Sequence, residues 1–436
     1  MKFSQASSLL ILAGLAHACL LPEERAGGSI RKLSRRQQDN HGKAVGKGDR
    51  FKAGKSFPRG IGSGHATDMS TILNVKEVDS GLAGLAAEYG IQTFETPFKT
   101  YESRTISGAR VGGKGCGKEK YHVYLNGAIH ARERGSHDSV LYFISDLLYA
   151  QKHKTGLVYG NTSYTHHDVE KALATGIVFT PLINPDGVTH DQKFNDCWRK
   201  NRNPESSDGD EEAIGIDLNR NFDFVWDLDA WAPSVANEVA SEDPTSEVFH
   251  GTAPFSEPET ANMKWVLDTF KKVRWFIDLH SYTGDILYSW GSDTNQETQP
   301  YKSFLNSTYD DIRGLVEDDT DTQYGEYIPA EDQDNAKGAA DRMAVAMTSS
   351  TGREYLTLQA AAFYPTSGAS DDYSFSRHFA DRSLNKVYGY TVEFGFGNDE
   401  ASCPFYPTEE QYILNLQETN AGFMEFLLAA TDIELE

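Results

Sequence analysis

Four apolar runs, at 121–129, 176–183, 275–281 and 389–394, limit what this chain can fold into. They lack the polar alternation of a half-solvated strand and are rich in Val, Ile, Phe and Tyr. Such runs read as strands buried on both faces. Between and after them lie stretches with helical spacing of apolar residues, at 139–150, 258–272, 301–315, 336–348 and 409–430. Glu257-Pro258-Glu259 has the proline and acids of a helix start. Strands alternating with helices predict an α/β fold: a single domain with a twisted, mixed β-sheet flanked by helices. With 436 residues and 39% hydrophobic content, the chain has enough apolar material for one large core. No internal repeat interrupts it, and the acidic stretches 203–214 and 227–249 read as surface insertions.

The amino-terminal end reads differently. Lys2, the apolar run 9–15 and Ala16-His17-Ala18 form a signal-peptide pattern over residues 1–18, which predicts a secreted protein. Residues 19–56 carry ten basic against four acidic side chains, with no hydrophobic period and a dibasic pair at Arg35-Arg36. This segment is expected to be a short basic pro-region or a disordered tail, leaving residues 57–436 as the working domain. The whole chain carries a net charge of −23, and with the basic leading segment and Lys2 set aside the remainder is more acidic still, at about −30. An acidic surface argues against nucleic acid and anionic membranes as partners. No later apolar run is long enough to span a bilayer. Of four cysteines, Cys19 lies at the cleavage boundary. Cys116, Cys197 and Cys403 allow one disulfide with one thiol left over, in any of three pairings. Asn161 and Asn306 head N-glycosylation sequons.

The chemistry gathers at strand ends, where open α/β sheets place their sites. His130-Ala131-Arg132-Glu133 closes the first apolar run and His280 closes the third. Two imidazoles and a carboxylate form the ligand set of a catalytic zinc with one coordination position open. His137 is a weaker ligand candidate, because no HExxH pattern is present. Glu393 stands within the last strand, where a carboxylate is costly unless paired or used.

Further motifs follow the strands in order: Asn184-Pro185-Asp186-Gly187, Trp198-Arg199-Lys200-Asn201-Arg202, Gly215-Ile216-Asp217-Leu218-Asn219-Arg220-Asn221, His280-Ser281-Tyr282, and Tyr364 before Ser367-Gly368. With HxxE before them and the strand-borne Glu393 after them, this order resembles the zinc metallocarboxypeptidases of the carboxypeptidase A/B type, over roughly residues 70–430. The resemblance implies one zinc ion per chain on His130, Glu133 and His280, and Glu393 as the base acting on the zinc-activated water. It implies Arg202 as the oxyanion stabiliser, and Asn219 and Arg220 as the grip on the substrate's terminal carboxylate. Tyr364 would cap the bound residue, Arg132 would line an outer subsite, and Asp217 would orient a zinc-bound histidine. Asp371 falls where the family places the floor of the pocket for the C-terminal side chain, which implies a preference for Lys or Arg. Asp278 and Thr366 depart from the animal pattern.

The expected activity is removal of single residues from peptides and proteins with a free C-terminus, by a monomer. An amide or peptidoglycan-peptide hydrolase would not need the carboxylate grip. A non-catalytic binding protein would be expected to have lost the base or a ligand. The segment 19–56 is too short to form the folded pro-domain of animal digestive members.

Overall fold

The computed structural model describes residues 40–64, 68–316 and 324–433, together with Leu20 and Glu24. The proposed signal peptide, Cys19 and most of the basic segment lie outside the described residues.

An eight-stranded sheet runs through the body. Its strands are β1 (Gln92–Glu95), β2 (Ser107–Val111), β3 (Val123–Gly127), β4 (Ile177–Thr180), β5 (Trp275–His280), β6 (Asp285–Tyr288), β7 (Leu356–Gln359) and β8 (Tyr388–Glu393). The spatial order is β1-β2-β4-β3-β5-β8-β6-β7. The central four, β4, β3, β5 and β8, are mutually parallel. Antiparallel pairs join β2 to β4 and β6 to β8, so the sheet is mixed as expected. Every residue of β3, β4, β5 and β8 is buried, which matches their unbroken apolar character.

The main helices are α1 (Val75–Tyr89), α2 (Ser136–His153), α3 (His166–Ala174), α4 (Pro185–Phe194), α5 (Pro258–Thr269), α6 (Ala330–Thr351), α7 (Ser370–Ala380) and α8 (Glu409–Asp432). Strand alternation sorts the side chains of β5 and β8. Trp275 and Tyr390 pack against Phe426 of α8 on one face. Asp278 faces α7 on the other, where it meets Ser370. The site lies on the α7 side.

Connections leave β3 for β4 on one side, and β5 lies on its other side. This change of direction opens a crevice at the carboxyl ends of β3 and β5. His130 and Glu133 follow β3 into it, and His280 ends β5.

Two expectations fail. The segment 301–315 forms turns and a single 3₁₀ turn at Ser307–Tyr309 instead of a helix. Its aromatic spacing is helical, but the Asn306 side chain accepts from the Thr308 amide and holds a local turn. Nor does the packed body begin at residue 57. Phe51 belongs to the hydrophobic core, Val45 bridges to Ile72, and Arg50 pairs with Glu77 at 2.7 Å. Residues 40–56 are therefore part of the body, held by polar contacts that leave no periodic signature.

Cys197 and Cys403 form a disulfide, and Cys116 is an exposed free thiol. Asn161 is exposed. Among the described residues, no helix is long and apolar enough to cross a membrane.

Candidate metal and substrate site

The loop after β3 is built by Asn184. Its amide donates to the carbonyls of Ile129 and Lys200 at 3.0 and 3.2 Å, and its oxygen caps α4 through the Gly187 amide. One side chain thus ties the His130 loop to the segment carrying Arg199. Gly135, at φ +100°, then turns the chain into α2.

His130, Glu133 and His280 converge, with their ligand atoms all within 4.8 Å of one another. His130 Nδ1 lies 2.7 Å from Glu133 Oε1 and 3.1 Å from His280 Nδ1. Glu133 Oε2 lies 3.2 Å from His280 Nδ1. Burial opposes protonation of His280, yet the carboxylates of Asp278 and Glu133 hold its pKa well above the ordinary imidazole value. Lone pairs aimed at one point, in surroundings that favour positive charge, fit a divalent cation. The donor set of two imidazoles and one carboxylate fits zinc.

Asp217 backs the first histidine, with Oδ1 3.0 Å from His130 Nε2. Burial would raise its pKa, but Arg199 and His130 hold the carboxyl well below the usual range. Arg199 grips the other oxygen of Asp217 through Nη2 and Nε at 2.9 and 3.1 Å, and its Nη1 is 3.3 Å from His130 Nδ1.

A cavity opens beside these groups, lined by His130, Arg199, Asn219, Arg220, Tyr364, Asp371, Thr391 and Glu393, with Leu287, Ala360 and Phe363 as its apolar wall. Glu393 is fully buried. Asn219 Oδ1 accepts from the Ser370 amide at 2.8 Å. Arg220 is 1% exposed and uses Nη1 on the Asn219 carbonyl at 2.7 Å. Among the described residues, no acceptor meets its Nε or Nη2. Tyr364 is half-buried, with its ring centre 5.9 Å from the Arg220 guanidinium. Burial raises the Asp371 carboxyl above its ordinary range, while the Asp372 amide and Thr391 hydroxyl bond to it.

The chain belongs to the zinc carboxypeptidase family. That family's pattern matches residues 80–422. Carboxypeptidase B of Astacus astacus is 26% identical over 359 residues, covering 81% of this chain and 95% of the crayfish protein. Zinc carboxypeptidase A 1 of Drosophila melanogaster is 32% identical over 207 residues, 46% of this chain and 42% of that one. The crystal structure of carboxypeptidase A from Helicoverpa armigera superposes with a TM-score of 0.63 at 21% identity, covering 84% of this chain and 75% of that one. This last likeness speaks for the fold.

Within this zinc carboxypeptidase, most residues singled out from sequence meet at one place, and Arg202, His137 and Arg132 do not. Arg202 is not in the cavity. Its guanidinium stacks 4.4 Å from the Trp198 ring centre and reaches toward Glu102 at 4.0 Å. The arginine beside the metal ligands is Arg199, which sequence reading passed over. The WRKxR motif offers two arginines on a stretch without regular secondary structure, where spacing does not tell their directions apart. His137 also stays away, bonded through Nε2 to the Leu73 carbonyl at 2.9 Å. Arg132 is buried over the Phe405 ring and is gripped by both carboxylate oxygens of Glu24.

Proposed function

We propose that this zinc carboxypeptidase is a secreted monomer that hydrolyses the last peptide bond of peptides and proteins, with a preference for C-terminal Lys or Arg. One observation carries the exopeptidase reading. Arg220 presents two buried guanidinium nitrogens, without an acceptor among the described residues, to a cavity that also holds His130 and Glu393. A buried donor without an acceptor costs about 1–3 kcal/mol. A substrate's terminal carboxylate satisfies both nitrogens, since the planar guanidinium fork matches its two oxygens. Asn219 stands next to it as a second polar contact.

His130, Glu133 and His280 would hold a zinc ion, which would supply a Lewis acid to activate water and polarise the scissile carbonyl. Glu393, buried in the cavity wall, is the group that takes a proton from the attacking water and returns it to the leaving amine. A carboxylate in this dry setting acts as base and then acid without rearranging solvent. Arg199 stabilises the negative charge that develops on the scissile carbonyl oxygen, the part the resemblance gave to Arg202. Asp217 orients both Arg199 and His130. Tyr364 covers the bound residue, and Asp371 at the cavity wall attracts a cationic side chain.

Secretion rests on the leader pattern and agrees with the Cys197–Cys403 disulfide. Glu24 belongs to the segment expected to be removed, and its grip on Arg132 occupies the residue expected to line an outer subsite.

The deciding experiment measures free amino acids released from peptides differing only in the C-terminal residue, with and without a zinc chelator. Chelator-sensitive release favouring Lys and Arg is expected. Chelator-sensitive release of apolar residues would discard the basic pocket, and no release at all would discard the enzyme reading.

A further inference from the structure

We propose that Asp278 is a positioning residue for the metal ligand His280 and does not form part of the substrate pocket. The inference rests on the zinc centre described above and deepens it.

Asp278 lies two residues before His280 on β5, so both side chains leave the same face of the strand. It is fully buried. Its Oδ2 is 3.3 Å from His280 Nε2, an ion-pair contact longer and less aligned than the 3.0 Å bond from Asp217 to His130. The Nδ1 atom of His280 faces Glu133 and His130, which leaves Nε2 as the nitrogen open to an outer partner. A neutral imidazole that gives its Nδ1 lone pair to a metal carries its proton on Nε2. A carboxylate there fixes that tautomer and strengthens the ligand.

Asp278 is itself held from two directions. Ser370 Oγ donates to Oδ2 at 2.6 Å, and Asn126 donates to Oδ1 at 2.8 Å once its amide is assigned with the nitrogen toward Asp278, the orientation that satisfies both of its ends. Anchored in this way, it does not line the cavity that Asp371 lines. Each of the two histidine ligands thus has its own carboxylate: Asp217 comes from the Asn219 loop, and Asp278 from the same strand as its histidine. Ser370 links the second of these to substrate binding, because its amide also holds Asn219 Oδ1.

The test compares the active enzyme with D278N and S370A. It reads zinc affinity by competition with a chromophoric chelator, the visible spectrum of the cobalt-substituted protein, and the ratio of Lys to Leu release. D278N is expected to weaken zinc by about tenfold, the lower end of the effect of removing such partners, which runs to about 100-fold. It should shift the cobalt bands and leave the Lys-to-Leu ratio unchanged. S370A should weaken zinc less than D278N does. A folded D278N whose zinc affinity stays within about twofold of wild type overturns the inference. So does a D278N that changes the Lys-to-Leu ratio at unchanged zinc affinity, which would return Asp278 to the pocket. Should D278N fail to fold, S370A decides, and wild-type zinc affinity in S370A overturns the proposal. If the unmutated protein takes up no zinc, the zinc centre falls first and this inference with it. The two failures are therefore told apart by the wild-type measurement.

Discussion

Glu393 and His280 are register partners on the parallel strands β8 and β5. Paired positions project to the same face, so the strand ladder alone sets a buried carboxylate beside a candidate metal ligand. No flexible loop takes part in this relationship, and a site held on paired strands keeps its spacing more closely than one hung from loops.

Glu393→Gln is expected to keep full zinc content while turnover drops by about 10²–10⁴-fold, the usual worth of a positioned base. Metal analysis beside steady-state kinetics checks both halves. Undiminished hydrolysis would remove Glu393 from the mechanism.

Arg220→Ala should abolish the distinction between a peptide acid and its C-terminal amide. Charged hydrogen bonds of this kind contribute about 1.5–3 kcal/mol, on the order of 10–100-fold in kcat/KM. The unmutated enzyme should favour the acid by a similar factor, and equal rates on the two would sink the exopeptidase reading.

The two arginines of the WRKxR motif separate under parallel substitution. Arg199→Lys should lower kcat by about 10²–10³-fold, the cost of losing a donor to a developing oxyanion. Arg202→Lys should stay near wild type because its side chain lies outside the cavity. The reverse ranking would restore the role first given to Arg202.

Asp371 gives specificity a pH dependence. Its folded pKa is raised by burial, so the free enzyme holds a neutral acid at low pH and a carboxylate only once pH passes that raised value. Preference for Lys over Leu, read as the ratio of kcat/KM values, should therefore grow as pH rises through this range. Asp371→Ile should flatten that profile and shift release toward aliphatic ends. An unchanged profile in the variant would show that Asp371 does not meet the substrate.

Glu24→Ala in the unprocessed chain should lower KM for peptides long enough to reach Arg132 and leave dipeptide substrates unaffected. Equal KM values for both proteins on long peptides would mean that the Glu24 contact does not compete with substrate.

Much of this was legible because the residues that matter sit at the ends of strongly apolar strands. His130, Glu133, His280 and Glu393 follow or finish β3, β5 and β8, whose short length and β-branched and aromatic content favour a buried strand over a helix. The short strands β1, β2, β6 and β7 carry no comparable run and appear only once the sheet is assembled. Arg199 lines the cavity without any signal in the sequence because its neighbourhood is irregular backbone, where spacing does not report direction. Residues 40–56 were misread for a related reason. Lys43, buried against Glu409 at 2.5 Å, and Arg50 on Glu77 are charges placed inside by partners distant in sequence. Asp278 stands out in the sequence only as a departure from the animal pattern, because its partners Ser370 and Asn126 come from other elements.

The Cys197–Cys403 bridge has a consequence in time as well as in space. It fastens the short segment that carries Arg199 to a point ten residues beyond Glu393, across a sequence separation of 206. During synthesis the ribosome has long since made Arg199 when Glu393 and then Cys403 emerge. Any product cut short before residue 403 lacks the clasp, so the Arg199 segment is fastened only after the strand that carries Glu393 has been made.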